Sequence, residues 1–140
     1  MAANTNPIFE LVPNNGLVSI TAANTAKDGS GTITPLITGG TNGTRVDTIR
    51  FISAQATPAA SSNRVGRIFL SKDSGTTWNL VDEVVITGAT SSNTAAGDKT
   101  DITYPNGFIL KDSTQILGCA MSVYAGVQDR TNVIARGGDF

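Results

Sequence analysis

The chain has 140 residues, of which 39% are hydrophobic and 15% charged, with a net charge of −1 and a pI near 5.2. That length suits one domain, able to bury roughly two thirds of the surface its unfolded chain exposes without disulfide or metal staples. Without a basic surplus a nucleic-acid partner is not expected, and apolar runs of about four or five residues are far too short for the ~20 needed to span a bilayer. Charge is well under the usual ~25%, and Thr, Ser, Asn and Gly supply the polarity instead, residues that weaken helices and favour strands and turns.

The opening stretch, MAANTNPIFELVPNNG, lacks a basic start followed by an apolar run, so no secretory signal is expected. Its small apolar cluster, Ile8, Phe9, Leu11 and Val12, reads in one of two ways. Residues 1–16 form an extended arm that docks on a partner, or a strap on the domain's own core. Residues 17–140 then form a single β domain.

No helical stripe of useful length follows. Short β-like runs are expected at Leu17–Thr21, Gly31–Ile37, Thr44–Ala54, Arg64–Lys72, Trp78–Thr87, Lys99–Tyr104, Ser113–Ala125 and Asn132–Arg136. Between them lie clusters such as Lys27–Gly31, Gly39–Gly43, Pro58–Asn63, Asp73–Gly75, Gly88–Gly97, Pro105–Gly107 and Gly126–Arg130. Gly and Asn accept positive φ and Pro fixes φ, so these are turns. The clearest alternation puts Trp78, Leu80, Val84 and Ile86 on one face, interrupted by Asp82. A second sets Leu117, Cys119, Met121 and Val123 against Gly118, Ala120 and Ser122. Period two with one apolar face is a half-buried strand. Eight such strands predict an all-β antiparallel sandwich, an eight-stranded jelly roll in preference to a closed barrel, with an N-terminal arm.

Much chemistry is missing. There is no histidine, which removes the usual general base, the Ser-His and Cys-His pairs and the commonest metal ligand. The lone Cys119 reads as a buried small hydrophobe. No cofactor and no catalytic residue is expected. Asp82 and Glu83 are neighbours on a strand and point to opposite faces, so they make no glycosidase pair. Asp28-Gly29-Ser30-Gly31 lacks the later ligands of a calcium loop and reads as a turn.

Residues 71–78, SKDSGTTW, carry the Asp-box spacing of Ser71, Asp73, Gly75 and Trp78, a motif of sialidases and other β-propellers. One copy in a chain this short is no propeller. The expected role is a hairpin turn in which Ser71 and Asp73 tie the backbone, Gly75 permits the bend and Trp78 packs beneath. Arg45 and Arg50 are expected on opposite faces of one strand, Arg64 and Arg67 on the next, and all read as solvated surface charges or interface residues.

Four stretches, NTAKDGSGT (24–32), TNGTRVDTIRF (41–51), GRIFLSKDSGTTWNLVDEV (66–84) and NVIARGGDF (132–140), together resemble a family of tailed-bacteriophage capsid decoration proteins of jelly-roll type. The resemblance implies a non-catalytic virion protein made in the host bacterial cytoplasm. It implies binding to the outer surface of the major capsid protein shell, as a homo-oligomer, trimer or dimer. The alternatives are a tail or baseplate component or a carbohydrate-binding adhesin, in which Tyr104, Tyr124 or Trp78 stacks on a sugar. A small hydrolase is a third.

Overall fold

A computed structural model describes residues 9–55, 60–123 and 130–140. Its strands are β1 (Val12–Ile20), β2 (Thr34–Thr38), β3 (Thr44–Ser53), β4 (Arg64–Ser71), β5 (Asn79–Ile86), β6 (Lys99–Leu110), β7 (Ile116–Met121) and β8 (Thr131–Asp139). They form two antiparallel four-stranded sheets, ordered β1-β8-β3-β6 and β2-β7-β4-β5. Only β4 and β5 are consecutive strands within one sheet, joined by a hairpin. Every other connection crosses between the sheets, which is the jelly-roll wiring.

The core lies where the alternating strands face each other. Val46, Ile49 and Phe51 of β3, Val133 and Ala135 of β8 and Leu110 of β6 meet Ile68 of β4, Leu117, Cys119 and Met121 of β7 and Ile86 of β5. Gly66 makes room for Phe51, since a Cβ there would come within 2.7 Å of the phenylalanine ring.

Three irregularities depart from simple alternation, and each moves side chains between faces. The register of β3 slips between Val46 and Thr48 against both neighbours. Core positions in β3 therefore run 44, 46, 49, 51, and Arg45 and Arg50 share the outer face instead of lying on opposite ones. On β5, Ile68 pairs with Asp82 but Phe69 with Leu80. Val81 is the extra residue, so Leu80 shares Phe69's face while Val84 and Ile86 face the core. Finally, Pro105-Asn106-Gly107 does not separate strands but sits inside β6, where residues 104–107 oppose the same slip in β3 and Gly107 has φ +72°.

β1 starts at Val12, so Val12–Gly16 pair with β8 as part of the sheet, from Val12 opposite Asp139 to Ile20 opposite Thr131. Residues 1–8 lie outside the described residues.

The second sheet has a third layer. β7 is buried on both faces apart from its first residue, because the segment 21–33 runs over its outer side. Asn24 anchors that segment. Its Nδ2 donates to the carbonyls of Ser30 and Thr32 at 2.9 and 3.0 Å, and its Oδ1 accepts from the Ala26 N–H. Trp78 lies between this strap and β7. A Cβ on Gly118 would approach the Trp78 ring and Ile33 to 2.7 Å, and one on Gly29 would strike the Trp78 carbonyl.

Candidate partner-binding surface

The apolar residues of the N-terminal cluster fall at one end of the first sheet. Phe9, Leu11 and Val12 are 71%, 77% and 59% exposed, and Ile8 lies outside the described residues. A polar network fixes the backbone beside them. The Leu11 N–H donates to the Asp139 carbonyl at 2.7 Å. Asn14 Nδ2 donates to Asp139 Oδ1 at 2.8 Å and to the Thr38 carbonyl at 3.1 Å, tying β1 to β2 across the open side of the sandwich. Thr44 Oγ1 donates to the same carboxylate and accepts from the Gly40 N–H at 2.7 Å. Glu10 lies over Gly138 and 3.6 Å from Arg45 Nε, which also pairs with Asp47 at 2.8 Å. With the polar groups so engaged, the apolar side chains are turned to solvent at a pole shared with the Gly39–Gly43 turn and the C-terminal end of β8.

The Asp-box turn stands at that same pole, because Ser74 N–H bonds the Thr114 carbonyl of the β6–β7 loop at 2.9 Å. Buried Ser71 donates to Asp73 Oδ1 at 2.8 Å and accepts from the Gly75 N–H at 2.8 Å. Asp73 accepts from the Thr77 N–H at 2.9 Å and the Thr77 hydroxyl at 2.7 Å. These donors, Thr77 foremost, hold the Asp73 carboxyl down at about 2. Gly75 has φ +89°, a conformation that favours glycine, and Trp78 packs against it at 3.6 Å from where a Cβ would sit. Both carboxylate oxygens of Asp73 thus serve the turn itself.

The arginines turn out differently from a solvated set. Arg64 and Arg67 are buried. Arg64 forks onto Asp98 at 2.6 and 3.2 Å and reaches the Ser62 carbonyl at 3.1 Å, while Ser61 Oγ also donates to Asp98. Arg67 reaches Glu83 at 2.9 Å and the Asn24 carbonyl at 2.9 Å. Lys27 joins Glu83 at 3.0 Å, and the two cations, Arg67 first, hold the Glu83 carboxyl below its ordinary range. Arg67 therefore fastens the strap to the sheet. Arg50 forks onto Asp101 at 2.7 Å on the outer face of the first sheet.

Two sugar-stacking candidates are half-buried. Trp78 lies partly covered between the strap and β7, and Tyr104 packs on the core and on Phe108 with centroids 5.5 Å apart. The Tyr104 hydroxyl donates to Asp82 at 3.2 Å, and burial followed by the Asp82 charge raises its pKa. Tyr124 lies outside the described residues. Cys119 is fully buried, and burial pushes its thiol up to about 12.

Sequence reasoning passed over Leu17, which is 67% exposed on β1. The signal was the adjacent pair Leu17-Val18: in a strand only one of two neighbours can face the core. Val18 takes that side.

No protein-family model matches the chain, and no curated protein matches it. Among solved structures it is similar to a chain of the cyanophage Pam1 capsid asymmetric unit, at 14% identity and a TM-score of 0.43 over 98% of this chain and 90% of that one. It is similar to Eiger TNF from S. frugiperda, at 8% identity and 0.41 over 94% and 96%. A third is the virus-like particle of the extra small virus of the giant freshwater prawn Macrobrachium rosenbergii, at 12% identity and 0.31 over 97% and 86%. At these scores the likeness is a loose one of overall form.

Proposed function

We propose that this chain is a non-catalytic virion structural protein that binds the outer surface of a bacteriophage capsid shell as a decoration protein. The observation that carries the reading is the exposed apolar group Phe9, Leu11 and Val12 at one pole of a hydrogen-bonded scaffold. Large apolar side chains exposed within one short segment are a mark of an interaction site. The four stretches that resemble decoration proteins all form scaffold: the strap, β3 with its preceding turn, the Asp-box hairpin and β8. They support the fold of that family, and the pole supports attachment. A repetitive shell lets modest contacts of this size add up over many copies.

The test is co-sedimentation with expanded heads. Residues 12–16 belong to β1, so the informative truncation removes residues 1–11 and leaves the strand whole. The full chain is expected to pellet with heads, and the truncated chain to lose at least tenfold in affinity with its urea transition little changed. Equal pelleting of both chains, or no pelleting of the full chain, overturns the proposal.

A further inference from the structure

The jelly roll has four sheet edges: β1 and β6 in one sheet, β2 and β5 in the other. Free strand edges are templates for pairing with another chain, and proteins blunt them with charges, bulges, prolines or shortness. Three of these edges are blunted. β6 carries Lys99, Asp101 and Pro105 and an irregular register. β5 carries Glu83, the extra residue Val81 and the inward-pointing Asp82, which meets Tyr104. β2 has five residues, one of them Pro35, and a shifted register.

β1 has almost none of this protection. All nine residues, VPNNGLVSI, stay in unbroken register with β8, and none is charged. Gly16, Val18 and Ile20 face the opposite sheet, so Pro13, Asn15, Leu17 and Ser19 face outward. Backbone groups alternate with side chains, and a proline in a strand sits where its missing N–H leaves no gap in the ladder. Pro13 therefore orients its set, and the N–H and C=O groups of Asn15, Leu17 and Ser19, toward the free side.

We infer that β1 is the seat of a two-fold pairing between two copies of this chain, strand against antiparallel strand. The occupant follows from charge. A two-fold pairing brings a strand against itself, so any charge on it faces its own copy, and like charges opposite one another destabilise a sheet. Of the two long, edge-forming strands of the first sheet, β1 alone is uncharged. Pairing centred on Leu17 sets exposed Leu17 directly opposite its counterpart in the second copy, with Asn15 opposite Ser19. Ile134, opposite Leu17 on β8, extends the apolar row into each sheet. The result is one continuous eight-stranded sheet, β6-β3-β8-β1 joined to its copy. This pairing stands or falls independently of shell binding.

Sedimentation velocity on the full chain, with Leu17→Lys and Leu17→Glu, tests it. The wild type is expected at twice its 14.4 kDa mass. Each variant alone is expected to dissociate at least tenfold more readily, and an equimolar mixture of the two to recover association. Circular dichroism confirms folding, and if the Leu17 variants misfold the double changes Asn15→Lys with Ser19→Lys and Asn15→Glu with Ser19→Glu serve by the same criteria, since Ser19 meets Asn15 of the copy. A wild type that is monomeric at every concentration or trimeric overturns the inference, as do charged variants that associate like wild type or a mixture that fails to recover.

Discussion

Replacing Asp98 by alanine removes the carboxylate that holds Arg64 inside the protein. Both side chains are only 3% exposed, and their closest approach is 2.6 Å. After the change the guanidinium keeps the Ser62 carbonyl at 3.1 Å and loses both bonds to Asp98. Stranding one member of a buried pair costs about 3–5 kcal/mol, a large share of the ~5–15 kcal/mol that holds a domain together. With a urea m-value of about 2 kcal/mol/M, the midpoint should fall by about 2 M. Arg64 Nε and Ser62 Oγ find no hydrogen-bond partner among the described residues, so the native pair is itself imperfectly satisfied. The double change Arg64→Met with Asp98→Leu should therefore recover most of the loss, ending within about 2 kcal/mol of wild type. Urea unfolding followed by circular dichroism reads both. A midpoint shift under ~0.5 M for Asp98→Ala, or a double variant no better than the single one, would refute the reasoning.

Gly118→Ala should push the Trp78 ring off β7, because the new methyl meets it at 2.7 Å. The expected cost is about 1–3 kcal/mol, with red-shifted emission from the sole tryptophan. Asp73, held at about 2 in the folded state against an ordinary 3.8, gives a pH signature. A lowered carboxylate stabilises above its unfolded value and ceases to do so as pH falls through the folded one. Amide exchange at Gly75 and Thr77, corrected for its intrinsic pH dependence, should show protection lost between pH 4 and 2 in wild type, and an Asp73→Asn variant should lack that transition. Cys119 should resist a thiol reagent at pH 8 in the native protein and react fully in denaturant. Rapid native labelling would contradict its burial.

Eight strands were legible in the chain because period-two alternation and turn residues are local signals. What alternation could not show was a change of phase. Asp47 and Val81 each add one residue to a ladder, and nothing in TRVDTIRF or NLVDEV marks the slip. Arg45 therefore changed face relative to Arg50, as did Leu80 relative to Val84. Pro105-Asn106-Gly107 has the residues of a turn but is absorbed as an excursion within one long strand. The burial of Arg64 and Arg67 was hidden for another reason: Asp98 lies 34 positions from Arg64 and reaches it through the β5–β6 crossing, while Arg67, opposite Glu83 in the β4–β5 hairpin, is buried by a strap whose Asn24 lies 43 positions away. Of the apolar N-terminal group, the composition was readable, while the boundary between sheet and leader was not. Asn14 and Asn15 look like loop residues, yet the first ties β1 to Asp139 and Thr38.

Because Val12 sits opposite Asp139, the start of β1 and the finish of β8 lie at the same end of their ladder. Nine residues at ~3.3 Å each make that ladder about 30 Å long. The connections after β3, β5 and β7 leave from its other end. Were Phe9 and Leu11 to anchor the molecule as proposed, a sequence grafted between β5 and β6 would be presented some three nanometres above the anchoring surface.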